Sequence, residues 1–580
     1  MRRFFMQFAA VLLAVVLALP TVLAAGSGGE MVRVGLAYGS GALVNANLEN
    51  NTGYGSGYRM GYFDDGLDFV ELARTDEDET QITMVKTQNT WVNGTSYSTS
   101  DNGGEAIGCY HVLVESGYRS YEQAAADAQE YRDGFVAWID GDYQVRAGSY
   151  TSRQEAEDAA QSLGGTVAGT SSYAVNVTRT GTAEILFQFD GGDALALGVM
   201  PDVTGADAVR TWFKGYRYCG GFRYERIGGG DLTVVNIVDL ETYIKGVVPY
   251  EMSNSWPLEA LKVQAVCARS YAYINIHSGK HTSYHFDVCN TTDCQAYYGA
   301  GTNSSSYQAN ERTDQAVDET AGEYAWYDGQ VIEAFYSSSH GGASESVYNV
   351  WGSSLEQYPY LCGVEDPYEA DMASQNSYSS WTVSYTSSEL AQRLQARGYN
   401  ASSGIASLTL TYSDLGNVIQ VRVTYGNGES NDLKPTSIRS VFGVSSIRFT
   451  VNGQSVSSGA GTSSSGGGLT ANGSASLDSQ GTYTVISGSG SLSQAGLDGL
   501  YAISGSGSIN PAEDTVSSGG SGTDTPTGTQ VTVSGSSYIF QGSGNGHQLG
   551  LSQYGARAMA ERGFTYEEII EFYYPGTYVR

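Results

Sequence analysis

Val247-Val248-Pro249-Tyr250-Glu251-Met252 runs directly into Ser253-Asn254-Ser255-Trp256-Pro257-Leu258-Glu259-Ala260-Leu261-Lys262-Val263-Gln264-Ala265. Pro249 fixes its own φ and biases Val248 toward extended backbone. A short restrained segment before a helix is therefore expected. Ser255 suits the N-cap and Pro257 the first helical turn. Beyond them Leu258, Leu261, Ala265, Ala268 and Ala272 recur at spacings of three and four. They make one apolar face whose small residues allow close packing. Glu251 is then a carboxylate at the mouth of a packed helix. Two readings fit that place: a general acid/base, or an acidic residue that favours a helix N-terminus through the dipole.

The chain of 580 residues allows two to four domains, and 41% hydrophobic content supplies their cores. Thirty basic residues stand against 61 acidic ones, a net charge of −31, which argues against nucleic-acid binding. Arg2 and Arg3 precede an apolar run from Phe4 to Leu19, and Val22-Leu23-Ala24-Ala25-Gly26 follows Pro20. That order is a secretory signal pattern, expected at residues 1–25, with an uncleaved anchor as the alternative. No later segment is apolar enough to span a membrane, so an extracytoplasmic, secreted or wall-associated location is expected. Six cysteines are too few for a disulfide scaffold in so long a chain.

Residues 30–106 read as strands at Met31 to Tyr38 and Leu67 to Ala73, with a loop-like stretch over 76–106. A repeat then begins. A shift of 32 residues superposes Leu113 on Val145, Tyr118 on Tyr150, Ser120 on Ser152 and Ala124 on Ala156. Each unit is a strand followed by a capped helix, with Ser120/Gln123 and Ser152/Glu155 as capping boxes. Two such units suit a small α+β module with a four-stranded sheet. From Ala183 the pattern is β-rich, including an expected strand at Val331 to Tyr336. Residues 457–529 are Gly/Ser/Thr-rich and read as a flexible insertion with one weak strand near Gly481 to Ile486. Residues 530–580 end in two short helices.

Three segments carry a family resemblance. They are Val234 to Ala272, Phe286 to Gly299 with its Cys289-Asn290-Thr291-Thr292-Asp293-Cys294, and Gly546-His547-Gln548-Leu549-Gly550-Leu551-Ser552-Gln553-Tyr554-Gly555-Ala556 running to Tyr573-Tyr574-Pro575-Gly576. In this order they resemble the stage II sporulation protein D (SpoIID) family, which includes the amidase enhancers. The stretch Tyr143 to Tyr150 before Ser152-Arg153-Gln154-Glu155 resembles a SPOR domain, a module that binds peptide-free glycan strands. The implied fold is α+β and β-rich: a SpoIID-type catalytic domain over 183–456 and 530–580, with a small ferredoxin-like, SPOR-like module inserted at 107–178.

The resemblance implies a lytic transglycosylase of denuded peptidoglycan, or alternatively a non-enzymatic amidase enhancer. The family's catalytic Glu falls on Glu251, with Glu241 and Glu259 as rivals. Glycan contact is implied for Gln264, Arg269, Gln295, Ser338, His547, Gln553 and Tyr554. Gln548 departs from the usual Gly-His-Gly. The spacing of Cys289 and Cys294 suits a metal, with His281 and His285 upstream; a disulfide is the other reading. Some family members hold zinc here with two Cys and a His, implying one Zn²⁺. The implied partners are peptidoglycan glycan strands and a cell-wall amidase.

Overall fold

The computed structural model describes residues 29–50, 57–202, 210–302, 309–454 and 528–580, together with the backbone of six short strands between 455 and 527. The expected signal segment and most of the Gly/Ser-rich insertion lie outside the described residues. Within the insertion, Tyr483–Ile486 pairs with Leu492–Ala495, at the place where a weak strand is expected.

Two large sheets dominate. The first has seven strands, in the order Val288–Cys289, Met31–Ala37, Thr233–Asp239, Gly221–Glu225, Leu197–Pro201, Tyr58–Phe63, Phe69–Arg74. Alternating burial in Met31–Ala37 sends Val32 and Val34 into the core. The second sheet has ten strands. Its first four are Thr166–Ala168, Tyr110–Tyr118, Asp142–Tyr150 and Gly134–Ile139, and helices α1 (Tyr121–Ala128) and α2 (Arg153–Leu163) connect them. Ser152 and Glu155 close the expected capping box on α2, and Gly164 ends it in the left-handed conformation.

The 32-residue repeat thus forms a β-α-β-β-α-β unit, but its sheet is not separate. Gly134–Ile139 pairs in parallel with Ile185–Asp190, so the unit continues into the neighbouring strands. Its Val136, Trp138 and Val145 share one core with Tyr58 and Phe222. The other face of the same strand, Phe135 and Ala137, packs against Val92 and Ile107. Those two residues belong to a three-stranded sheet of Thr90–Asn93, Ser96–Ser98 and Glu105–Ile107. About half of the loop expected over 76–106 is therefore strand. Gln81–Lys86 even lies inside the ten-stranded sheet. Polar residues there hid buried alternation; Thr83 is buried and hydrogen-bonded to Thr180.

Helices α3 (Leu240–Glu251), α4 (Leu258–Ser278) and α5 (Glu311–Asp318) pack beside the seven-stranded sheet, and α6 (Val347–Trp351) follows. A second core gathers helices α7 (Ser387–Ala396) and α8 (Pro435–Phe442) against strands Ile405–Tyr412, Val418–Tyr425, Phe449–Val451 and Ser537–Gly542. Helices α9 (Gln553–Glu561) and α10 (Tyr566–Tyr573) return to pack on α4. The strand expected over Val331 to Tyr336 is broken into Gln330–Val331 and Tyr336–Ser337. The mixed, strand-rich α+β class stands.

Candidate active site

Pro249 and Glu251 do not lie in an extended segment. They form the last turn of α3, whose N-cap Asp239 accepts the Thr242 N–H and whose Tyr243, Ile244, Val247 and Val248 are buried. Pro249 has no N–H for the Lys245 carbonyl, and α3 ends two residues later. Glu251 is therefore at a helix C-terminus, where the dipole disfavours a carboxylate. The N-terminal reading fails. Nor does Ser255 cap α4: Pro257 occupies that place, with no side-chain cap, and Ser255 bonds Ser253 instead. The apolar face of α4 is as expected, with Leu261, Ala265, Ala268 and Ala272 fully buried.

Glu251 opens into a cleft of about 530 Å³ whose walls include Ser337, Ser338, Trp351, Asp293 and His547. Its Oε1 accepts the Ala296 N–H at 3.2 Å, and its Oε2 accepts Gln553 Nε2 at 3.3 Å. Burial raises its pKa above the ordinary carboxylate value, opposed by those two bonds and by Tyr336. The Gln553 amide also donates to Gln264 Oε1 at 3.1 Å. Ser552 holds Gln553 in place by capping α9 at the Gly555 N–H. Behind the carboxyl, Gln295 accepts from the Tyr243 hydroxyl and donates to the Tyr336 hydroxyl, both at 3.0 Å.

The structure thus gathers Glu251, Gln264, Gln295 and Gln553 from α3, α4, the 289–296 loop and α9. Of these Glu251 and Gln553 line the cleft, as do Ser338 and His547. Burial lowers the pKa of His547 to about 4, so its imidazole is neutral. Gln264 and Gln295 are fully buried and do not line the cleft, so their expected glycan contact is replaced by bonds to Gln553, Tyr243 and Tyr336. Two further expected contacts lie elsewhere. Arg269 is fully buried and bonds Glu241 at 2.7 and 2.9 Å, so it braces α4 against α3. Tyr554 packs on Trp256 at 5.1 Å and directs its hydroxyl to the Gln375 carbonyl. The rivals of Glu251 are occupied too: Glu241 by Arg269, and Glu259 by Lys262 and the Tyr566 N–H.

Gln548 takes a left-handed backbone (φ 68°), which explains why glycine suits this place. Its side chain turns away from the cleft, and Nε2 donates to the His340 and Ala343 carbonyls. Gly546 keeps the cleft wall close: a Cβ there would stand 2.2 Å from that of Ser337. The 339–341 loop is pinned by the buried Glu369. Its carboxylate accepts from the Ser339 and Ser552 hydroxyls, the His340 and Gly341 N–H groups and the Asn376 amide.

Next to Glu251 the donor atoms of His281, Cys289, Asp293 and Cys294 lie within 4.8 Å of one another. His281 Nε2 is 3.1 Å from Cys294 Sγ and 3.7 Å from Asp293 Oδ2. Both thiols are free, so the disulfide reading does not hold in this structure. The pair shares a proton: a hydrogen bond from Cys294 pulls Cys289 down to about 4. Two thiols, an imidazole and a carboxylate suit zinc, whose tetrahedral ligand atoms stand about 3.3–3.8 Å apart. His285 does not join them. It is 53% exposed and paired with Glu225 at 2.5 Å on another surface. Asp293, directly before Cys294 in the chain, takes its place in the group.

Trp351, Tyr336, Phe335 and Arg439 also line the cleft, and the sequence does not single them out for it. Only the aromatic or cationic character of each hinted at binding, and such residues are common throughout this chain. No helix of the described residues is long and apolar enough to cross a membrane.

Residues 228–327 match the family profile "Stage II sporulation protein". The chain is 44% identical over 133 residues to an uncharacterised protein of Brachyspira hyodysenteriae, covering 23% of this chain and 33% of that protein. It is 31% identical over 347 residues to the amidase enhancer of Bacillus subtilis, covering 58% of this chain and 40% of the enhancer. It is 22% identical over 352 residues to stage II sporulation protein D of Bacillus subtilis, covering 60% of this chain and 75% of that protein. The chain thus spans between a third and two fifths of the first two relatives' lengths. The matched region contains Glu251 and the Cys289–Cys294 loop, and residues 228–327 carry the stage II sporulation protein domain.

Proposed function

We propose that this protein is an extracytoplasmic lytic transglycosylase that cleaves denuded peptidoglycan glycan strands. The observation that carries the reading is Glu251: a carboxyl raised by burial, facing a cleft, with its orientation fixed by Ala296 and Gln553. A raised carboxyl keeps its proton nearer neutral pH, as a general acid must. Glu251 gives that proton to the glycosidic oxygen as the bond to C1 breaks. The sugar's own 6-hydroxyl oxygen then bonds to C1, and its proton returns to Glu251. The product is a 1,6-anhydro end, and the carboxyl finishes as it began.

One carboxyl suffices for this route, whereas ordinary retaining or inverting hydrolysis uses two. The other carboxylate on the cleft wall, Asp293, stands with the thiols and His281. We assign those four residues to one Zn²⁺, which when bound would stiffen the 289–296 loop that supplies the Ala296 N–H to Glu251. Four protein ligands suit a closed, structural site better than an open one.

The β-α-β-β-α-β unit is read as a SPOR-like glycan-binding module. Because it shares its core with its neighbours, its role is measured on the full chain. Glu251→Gln protein is expected to bind amidase-stripped sacculi better than intact ones; equal binding counts against the module. The central test is product chemistry. Purified protein incubated with denuded glycan is expected to release fragments with 1,6-anhydro-muramic ends. Reducing ends would mean hydrolysis. No products, with stimulation of an added amidase, would favour the amidase-enhancer reading that one relative's name suggests.

A further inference from the structure

One wall of the cleft carries a cation that nothing in the described structure answers. Arg439, on α8, lines the cleft with Glu251, Trp351 and His547. Its Nε is buried and has no hydrogen-bond partner among the described residues. Arg59 and Arg223 also have a buried Nε without a hydrogen bond, but each stands beside a carboxylate, Glu71 and Asp202 for the first and Glu225 for the second. Other buried guanidinium groups are hydrogen-bonded. Arg269 bonds Glu241, Arg146 bonds Gln144 and Gln188, and Arg448 bonds Asn417 and the Leu415 carbonyl. The chain has 61 acidic residues, yet no described one forms an ion pair with Arg439. A guanidinium does not lose its charge at such a site, and an unpaired one in a cleft is poised for an anion.

The neighbours fit a sugar. Trp351 ends α6, which packs against α8, and it remains 40% exposed. Phe335 holds it edge-on at 4.7 Å, and His547 lies 5.6 Å from it. An exposed, braced indole face is a stacking platform for a pyranose ring. His547 is neutral, so it does not compete with Arg439 for an anion.

We propose that Trp351 and Arg439 form a subsite for a sugar bearing a carboxylate, namely the free lactyl group of a muramic acid without its peptide. This rests on the glycan-strand reading of the cleft. In a peptide-bearing strand the lactyl carbon is an amide, which offers no charge and adds bulk. Removal of the peptide restores a carboxylate, which a guanidinium binds through two parallel N–H bonds. The cleft thereby senses whether the strand has been stripped, and an amidase must act first.

The test is titration of the full-length Glu251→Gln chain, which leaves the glycan intact. The probes are a (GlcNAc–MurNAc)₂ tetrasaccharide with free lactyl acids, the same sugar with lactyl carboxamides, and chitotetraose. The acid form is expected to bind roughly ten- to a hundredfold tighter than the carboxamide, the range for a charge-assisted bidentate contact. Adding Arg439→Met removes that preference. Adding Arg439→Lys keeps part of it, and serves if the Met variant does not fold. Trp351→Ala weakens all three probes. Equal affinity for acid and carboxamide in the parent, an unaltered preference in both Arg439 variants, or no binding to any probe overturns the subsite. Cleavage by the unsubstituted chain is scored separately. Discrimination without anhydro products overturns the transglycosylase reading alone, and anhydro products without discrimination overturn the subsite alone.

Discussion

Replacing Glu251 by glutamine keeps the shape of the side chain and removes its proton. The Ala296 N–H, now 3.2 Å from Oε1, can still donate to the new amide oxygen. The amide nitrogen would face Gln553 Nε2, which now donates to Oε2 at 3.3 Å and cannot accept. Losing that bond costs about 1 kcal/mol. Relief from burying a charged carboxylate offsets it, so the fold should stay within about 1–2 kcal/mol of the parent. The chemistry should not survive. General acid/base assistance is worth about 10²–10⁴-fold, or about 2.7–5.4 kcal/mol of barrier. The assay is chromatographic release of anhydro-ended fragments from denuded glycan, beside a thermal melt.

The pH dependence gives a second readout. Burial raises the Glu251 pKa, so the acid form persists above the usual carboxylate range and is lost as pH rises through the raised value. The parent's rate should fall on that alkaline side, and any residual rate of the variant should not. Stability follows the same sign. A raised folded-state pKa contributes stability that is present below the unfolded value and lost as pH rises through the folded one. The variant should therefore gain stability relative to the parent as pH rises from the usual carboxylate value through the raised one. A folded Glu251→Gln protein whose activity lies within about tenfold of the parent would refute the assignment of Glu251 as acid and base.

Reduced, purified protein is expected to hold about one zinc per chain by elemental analysis; Cys289→Ser and Asp293→Ala should lose it and His285→Ala should keep it. Equal loss in His285→Ala, or active protein free of zinc, would dismiss the four-residue cluster. Arg269→Met should lower stability in denaturant titration by about 2–4 kcal/mol, because it strands the partly exposed Glu241 carboxylate and the Val317 and Glu323 carbonyls. If it instead weakens glycan binding at unchanged stability, Arg269 touches substrate after all. Glu369→Ala should cost about 3 kcal/mol or more, since hydroxyl and backbone donors on the 339–341 loop and α9 lose their shared acceptor. An unchanged melting temperature would show that this loop is held by something else.

The sequence by itself determined the parts of this protein that depend on local order. The apolar periodicity of α4 is written in consecutive residues, and so are the Ser120 and Ser152 caps of the 32-residue repeat and the two C-terminal helices; of the two expected capping boxes only Ser152/Glu155 closes, since Gln123 bonds the Arg119 N–H instead. Glu251 stood out because a motif of neighbouring residues surrounds it. Places where polar residues are buried by distant partners were not legible. Gln81–Lys86 read as loop because Thr83 looks like a surface residue until strands 45–50 and 175–179 close over it. Arg269 read as a ligand contact until Glu241, 28 residues away, neutralised it. His281 and His285 are four residues apart and equivalent on paper. Only the turn at His285, with φ 57°, sends one to the thiols and the other to Glu225. Tertiary structure likewise decided the cleft. It is assembled from α3, the 289–296 loop, α6, α8 and the 545–553 segment, and α8 belongs to the second core. No local pattern can encode a contact between elements nearly 200 residues apart. Such a contact exists only once burial of both cores fixes how their surfaces meet.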